Sequence, residues 1–305
     1  MVAGENEGGW CMLKRVILGL LALSLFVVSY HLRQQRSVSG GGADATIVCM
    51  APSSGEVVFA LGLGDQVVGV SSFAKYPKEA LAKPKVGGYL DVDLEAIVRL
   101  KPQVVVLLKE QADLAEQIEG LGMGTLLVDH MSVEGILDSI TKVGERFDRV
   151  DEAGSMRKEL EAAVRSARAL GSSGKRVLMS IGREHGSGKI KGVVAAGAGG
   201  YHQELLDIAG FTNAYEGEEN FPQLSREHLV RMNPDIIIDM VNQEDADRIG
   251  VEKLLSEWQS NDTLDAVRNG RVYLLVGDKH FVPGPRFIDT LEWLLELRKQ
   301  GGGGV

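Results

Sequence analysis

The chain has almost no cysteine. Two in 305 residues, Cys11 and Cys49, exclude a disulfide framework and every multi-cysteine zinc motif. Cys49 lies in the apolar run TIVCM, the setting of a buried free thiol. Histidine is sparse too: His31, His130, His185, His202, His228 and His280. None forms H-x-x-x-H or HExxH, so no helical zinc site is expected. There is no nucleophile elbow and no paired-carboxylate pattern. The stretch GAGG at Gly197–Gly200 lacks both the full GxGxxG pattern and the Lys-Ser/Thr of a Walker loop; it reads as a tight strand-to-helix turn. Basic charge is also short, with 33 Lys and Arg against 42 Asp and Glu, a net charge of −9. That excludes nucleic acid as the main partner, because phosphate binding needs a basic face.

A long apolar run is missing as well. Lys14-Arg15 precede the stretch from Val16 to Tyr30, and polar residues and Gly40-Gly41-Gly42 follow. This is the layout of an export signal, and it is short for a membrane span. The first A-x-A triplet after it, Ala43-Asp44-Ala45, lies far from the run, and no cysteine follows for a lipid anchor. A cleaved signal and an uncleaved anchor through residues 13–32 both stay open; Met12 is an alternative start. Either way residues 1–45 are leader and linker, and the body works outside the cytoplasmic membrane.

What is present suits two α/β lobes. The chain is 44% hydrophobic and long enough for two cores. The runs TIVCM, VVGVS, VVVLL and TLLVD alternate with amphipathic segments such as SSGEVVFALGL and DLAEQIEGLG. Continuous apolar strands between helices indicate a mainly parallel sheet covered on both faces, here over residues 46–131. Residues 132–170 contain no strand. SVEGILDSITKVGERF is helical with Ser132 as N-cap, and the pattern continues helically from Asp151 to Leu170, where Gly171 is placed as a cap. The reading is one helical stretch, a stiff spine. From 171 to 300 the alternation resumes with RVLMSIG, GVVAAG, DIIIDM and RVYLLVG as strands. Helices are expected at 201–209, 226–232, 251–259 and 286–298. The tail 301–305, GGGGV, is flexible. A ligand cleft is expected between the lobes, at the carboxyl ends of their strands.

Two stretches nearly repeat each other 132 residues apart: DLEAIVRLKPQVVVL from Asp93 and SREHLVRMNPDIIID from Ser225. Asp93 and Ser225 are good N-caps, and each puts a glutamate, Glu95 or Glu227, in the first turn, where it favours the helix dipole. Pro102 and Pro234 end the helices. Local rules alone account for both acids. Exposed at matching corners, the acids would also suit a partner with two matching basic sites.

At this point the chain resembles the helical-backbone periplasmic binding proteins of ABC importers, which carry cobalamin, ferric siderophores or haem. The resemblance rests on APSSGEVVFALGLGDQVVGVSSFAKYP, VGGYLDVDLEAIVRLKPQVVV and FPQLSREHLVRMNPDIII taken together, and it extends over 46–298. It implies two lobes on one long helix and a metal-chelate or corrinoid ligand in the cleft. It also implies docking on an ABC permease dimer through Glu95 and Glu227, and cleft aromatics at Phe73, Tyr89 and Phe221.

Loop positions after strands add His280 and Phe281, and the Arg183-Glu184-His185 loop. Arg183 is placed to fork onto an anionic ligand group. His185, His202 or His280 either coordinates a metal centre or caps its own lobe. Arg286 reads as a helix cap outside the site. No cofactor is expected, and the chain is expected to be a monomer. The absence of an arginine cluster weakens a highly anionic siderophore as cargo. Two other readings stay open: an exported enzyme acting on a tetrapyrrole or metal complex, and a membrane-tethered sensor.

Overall fold

The computed structural model describes residue 42 and residues 44–300. The leader, the anchor reading of residues 13–32, Cys11 and the glycine tail lie outside the described residues. Among those described, no helix is long and apolar enough to cross a membrane.

The first half builds a four-stranded parallel sheet in the order β2-β1-β3-β4. Its strands are β1 (Ile47–Cys49), β2 (Val67–Val70), β3 (Val104–Leu108) and β4 (Gly124–Val128). Helices α1 (Pro52–Ala60), α2 (Leu94–Leu100) and α3 (Ala112–Gly120) connect them. The side-chain period of two sorts the strands into two cores. Ile47, Cys49, Val104 and Val106 face a central cluster, whereas Val48, Met50, Val105 and Leu107 face an outer cluster with Ile97 and Ile118 of α2 and α3. Cys49 is a buried thiol whose burial pushes its pKa up to about 12.

Residues 133–168 form two helices, α4 (Val133–Arg146) and α5 (Val150–Arg168), rather than one continuous spine. Ser132 caps α4 by accepting from the Gly135 N–H at 3.0 Å. Asp148, with φ 55°, breaks the helical path, and the Arg149 N–H closes back on the Gly144 carbonyl at 2.8 Å. A Cβ at Gly144 would sit 2.4 Å from the Cβ of Ala153, so only glycine lets α4 and α5 fold together this closely. The apolar periodicity continues through the turn, which is why the break is invisible in the pattern.

The second half forms a six-stranded sheet, β10-β9-β5-β6-β8, with β7 paired to β5. The strands are β5 (Arg176–Gly182), β6 (Gly192–Ala195), β7 (Thr212–Asn213), β8 (Gln223–Ser225), β9 (Ile236–Val241) and β10 (Val272–Val276). The helices are α6 (Tyr201–Ile208), α7 (Arg226–Met232), α8 (Gln243–Ile249), α9 (Val251–Gln259), α10 (Asp265–Arg268) and α11 (Phe287–Lys299). β5, β7, β9 and β10 run parallel, but β6 is antiparallel to both β5 and β8. The connection from β5 to β6 is a loop without a helix, too short for a parallel crossover.

The central cluster joins the halves. It takes β1 and β3 from the first sheet and Val177, Met179, Ile236 and Ile238 from the second. Between them lie apolar faces of α1, α4, α5, α6 and α11. One helical layer therefore buries the inner face of both sheets.

Arg183 belongs to the interior of the second lobe, and its expected contact with a ligand is corrected here. Its side chain is 1% exposed. Its Nε donates to Asp239 Oδ2 at 2.8 Å, its Nη1 to Glu257 Oε2 at 2.6 Å and its Nη2 to the Leu254 carbonyl at 3.2 Å. Trp258 Nε1 donates to the same Asp239 oxygen at 2.9 Å, and Glu257 accepts from the Gly188 N–H at 2.7 Å. Burial raises the Glu257 pKa, but the Arg183 bond and the loop amides outweigh it and hold the carboxyl low. The fork that would have met an anion is spent on tying loop 183–191 to α9. Replacing Arg183 with Met leaves two buried carboxylates without their cation, so a loss of about 3–5 kcal/mol is expected in urea unfolding.

Three histidines make stability pH-dependent. His130 is 2% exposed, and its Nε2 donates to Ser139 Oγ at 2.9 Å, because the Ser139 hydroxyl itself donates to the Ile136 carbonyl. His202 donates to the His280 carbonyl at 3.2 Å, and His280 bonds Thr290 Oγ1 at 2.8 Å. Burial lowers all three to about 4. The unfolded chain binds protons near pH 6.5 and the folded one does not, so stability is complete above that pH and falls as pH drops toward 4. Unfolding free energies measured from pH 7.5 to 5 should decline by roughly 1–2 kcal/mol per histidine. His130→Gln should flatten the curve.

Candidate functional site

A cavity of about 650 Å³ opens between the halves. Every wall comes from the end of a strand or the segment that follows it. Pro52 and Glu56 follow β1, and Phe73, Lys75 and Tyr76 follow β2. Asn242 and Gln243 follow β9, and Gly277, Asp278, Lys279 and Phe281 follow β10. This is the carboxyl-end crevice that parallel sheets leave open.

The floor is an ion pair across the cleft. Arg286 Nε donates to Glu56 Oε2 at 2.9 Å, and its Nη2 closes the fork on Oε1. Glu56 is 3% exposed, because α1 is packed on all sides from Ser53 to Val58. Burial works against the Arg286 charge, but the Glu56 fork outweighs it and raises the guanidinium pKa. The Arg286 guanidinium also lies 3.8 Å from the centre of the Tyr76 ring, a cation–π contact in a partly desolvated site. Gly284 eases the approach: a Cβ there would stand 3.1 Å from Glu56 Oε2, a tight contact. At the rim a second pair spans the cleft, Lys75 to Asp278 at 2.9 Å, with Lys75 61% exposed. An exposed pair of this kind contributes little.

Phe73 and Phe281 line the cavity. Phe73 is 63% exposed, a large apolar area open to a ligand. Tyr89 and Phe221 are exposed at 48% and 56% but lie outside the lining. His280 is buried behind the wall and bonded to Thr290, between the lining residues Lys279 and Phe281. His185 is turned to Asp245, with Nδ1 at 2.9 Å from Oδ2, and it also lies outside the lining. That bond and the contact with Arg248 pull the Asp245 pKa down to about 2. Arg183 is absent from the cavity altogether. No group of three or more His, Cys, Asp or Glu among the described residues could hold a metal ion.

Arg286, Glu56, Lys75 and Tyr76 are functional candidates that sequence reasoning passed over or left out. Arg286 does occupy the N-cap position of α11, yet its side chain points to the cleft floor. The signal available was PGPR itself. Two prolines and a glycine before an arginine make a rigid corner, and a helix cap does not need one.

The two repeated helices match in detail. Asp93 Oδ1 accepts from the Ala96 N–H at 2.8 Å, and Ser225 Oγ accepts from the His228 N–H at 3.4 Å. Each helix is seven residues long and ends on a left-handed residue, Lys101 or Asn233, directly before its proline. Ile97 and Leu229 are the fully buried anchors. Glu95 and Glu227 are exposed. The Ser225 hydroxyl donates to Glu227 at 2.7 Å, and that bond lowers its carboxyl pKa.

Known proteins share this architecture. A curated relative, the uncharacterized ABC transporter substrate-binding lipoprotein YvrC of Bacillus subtilis, is 30% identical over 260 residues, 82% of this chain and 78% of the relative. The vitamin B12-binding protein of Salmonella typhimurium is 28% identical over 197 residues, 63% of this chain and 71% of its own length. Among solved structures, the periplasmic heme-binding protein BhuT in complex with two hemes superposes with a TM-score of 0.72. It is 23% identical, and the match takes in 86% of this chain and all of that one. That likeness establishes the fold, two lobes with a cleft between them. The family described as periplasmic binding protein matches residues 47–278, most of both lobes and the cleft-lining segments up to Asp278, and the chain belongs to that family.

Proposed function

We propose that the chain is the solute-binding component of an ABC importer. It captures an iron complex, siderophore or haem, or a corrinoid in the cleft and delivers it to a permease dimer through Glu95 and Glu227. The observation that carries this reading is the cleft itself. It is bounded by aromatic rings from both halves, and its charged groups are paired: Glu56 with Arg286, Lys75 with Asp278, and Lys279 with Asp289 behind the wall. Such a cavity holds a large, partly flat ligand by apolar area and carries no activated nucleophile–base pair. The names of the curated relatives, a substrate-binding lipoprotein and a vitamin B12-binding protein, point the same way. Phe73 and Phe281 are the ring contacts on the walls. Tyr89 and Phe221 meet the parts of the ligand that protrude. His185 and His280 are committed to Asp245 and Thr290, so the ligand brings its metal in its own chelate. The shared helical core makes closure around it modest.

The test is a fluorescence titration of residues 44–300 with haem, cyanocobalamin and ferric siderophores, followed by recovery of the ligand. Saturable quenching by one of them, with the ligand returned unchanged, is the expected result; no response to any, or a converted ligand, rejects the cargo assignment. Phe73→Ala and Tyr76→Ala should each weaken the bound ligand by roughly tenfold or more. Glu95→Ala with Glu227→Ala should leave affinity intact and abolish uptake in cells. Uptake that continues unchanged rejects the docking assignment.

A further inference from the structure

The turn at residues 88–91 is built against the usual chemistry. The Gly88 N–H donates to the Asp91 carbonyl at 3.2 Å, and Gly87 bridges Val92 in the antiparallel sense. That closes a two-residue hairpin turn with Tyr89 and Leu90 at its tip. Such tips normally carry Gly, Asn or Asp. Here Leu90 is 93% exposed. In the same segment Leu81, in the short 3-10 helix Lys78–Ala82, is 58% exposed. Neither leucine lines the cleft. Neither anchors the fold, since Ala80 and Val86 are the fully buried positions of this segment.

Both leucines belong to one platform along the outer edge of the first sheet. There β2 is an edge strand. Beside it the Val70 N–H donates to the Pro84 carbonyl at 2.9 Å, and the Val86 N–H to the Val70 carbonyl at 3.1 Å. The Ser72 N–H donates to the Gly87 carbonyl at 2.8 Å. A Cβ at Gly88 would stand 2.6 Å from the Phe73 ring, so the hairpin rests on that ring. Lys85 Nζ donates to the Ala74 and Ala80 carbonyls at 3.3 and 3.0 Å and draws segment 74–80 together. The platform is also basic. Residues 73–91 carry Lys75, Lys78, Lys83 and Lys85 against Glu79 and Asp91, in a chain of net charge −9. Lys75 is paired across the cleft, and Lys85 is spent on the two carbonyls. Lys78 and Lys83, which flank Leu81, have no side-chain partner among the described residues.

We propose that this platform rests on a phospholipid bilayer with anionic headgroups. Leu81 and Leu90 enter the boundary between headgroups and acyl chains, and Lys78 and Lys83 meet lipid phosphates. Protruding apolar tips suit a fluid surface, which closes around them without a matching pocket. A protein partner would need a pocket of fixed shape for each tip. Charge favours the bilayer as well. Anionic lipid repels an acidic body except at a basic face, so the platform also sets the orientation of the body. The leader brings a bilayer within reach. In a chain that keeps its anchor, residues 33–41 span at most about 30 Å. Phe73 and Tyr76 of the same segment line the cleft, so one cleft wall is held near the membrane surface. The contact does not depend on what the cleft carries.

The test uses the full chain with Cys11→Ser and Leu90→Cys, labelled at position 90 with the environment-sensitive dye NBD. Cys49 is buried and stays unlabelled. A control chain carries Cys11→Ser and the label on Lys158→Cys, an exposed position of α5. Each is added to vesicles of phosphatidylcholine alone, or of equal parts phosphatidylcholine and phosphatidylglycerol. The expected result is brighter, blue-shifted emission from 90 and not from 158. It should be stronger on the anionic vesicles and fall in about 0.5 M salt. Lys78→Glu with Lys83→Glu should lower the contact equilibrium read from that signal by roughly tenfold or more. Leu81→Ser should lower it by roughly tenfold. Neither change should alter the cargo titration. No shift at 90 overturns the inference, as do an equal shift at 158, equal signals on both lipids and a charge swap without effect. A shift without vesicles that grows with protein concentration assigns the face to a second copy and overturns it too. An altered cargo titration does the same, because it assigns these residues to the cleft. A chain that shows the shift but binds no cargo keeps this contact and loses the cargo assignment.

Discussion

The Glu56–Arg286 ion pair is the contact on which the arrangement of the cleft depends. Glu56 comes from α1, which is packed on all sides beneath the first sheet, and it is nearly inaccessible to water. A carboxylate in that position is unfavourable unless a cation meets it with good geometry. Arg286 supplies a two-point fork from the other half of the chain. The corner Pro283-Gly284-Pro285 brings it there, and the Tyr76 ring covers its open face. On both sides, the lining residues Pro52, Phe281 and Val282 are within a few positions of this contact.

Around it, the two lobes share one apolar layer. Alternate residues of β1, β3, β5 and β9 point inward to α1, α4, α5, α6 and α11, and the opposite residues point to separate outer clusters. A helix hairpin in place of a single rod adds contact between the halves, since α4 packs against the first sheet and α5 reaches α6 and α11. Large separation of the lobes would expose this layer, at about 25 cal/mol for each Å² uncovered. At the mouth, the gap is spanned by the weak Lys75–Asp278 pair.

Much of this is legible in the residues. The strands of the first sheet, β5, β6, β9 and β10 of the second, and the helices at 201–208, 226–232 and 251–259 follow from apolar runs and periodicity, whereas the short β7 and β8 have no apolar run to read; the caps at Asp93, Ser132 and Ser225 follow from local chemistry. Other features carry no such signal. Helix α8, QEDADRI, buries only Ala246, so it has no apolar stripe to read. The break at Asp148 interrupts a continuous pattern. Strand β6 runs antiparallel because of a loop length, which is a property of connectivity. The site was the hardest part to read. A loop arginine after a strand looks alike whether it faces solvent or an interior acid, and Asp239 and Glu257, which claim Arg183, lie 56 and 74 residues away from it. Arg286 reversed that error, since a residue at a helix start proved to reach across to Glu56.

A double-mutant cycle on the cleft floor tests the central claim most directly. Urea unfolding of the parent chain, Glu56→Gln, Arg286→Met and the double variant gives the coupling between the two side chains. A desolvated two-point ion pair that ties the halves together predicts a coupling of about 1.5–3 kcal/mol. Losses that simply add, within about 0.5 kcal/mol, would contradict the account, because the floor of the cleft would then be held by packing alone.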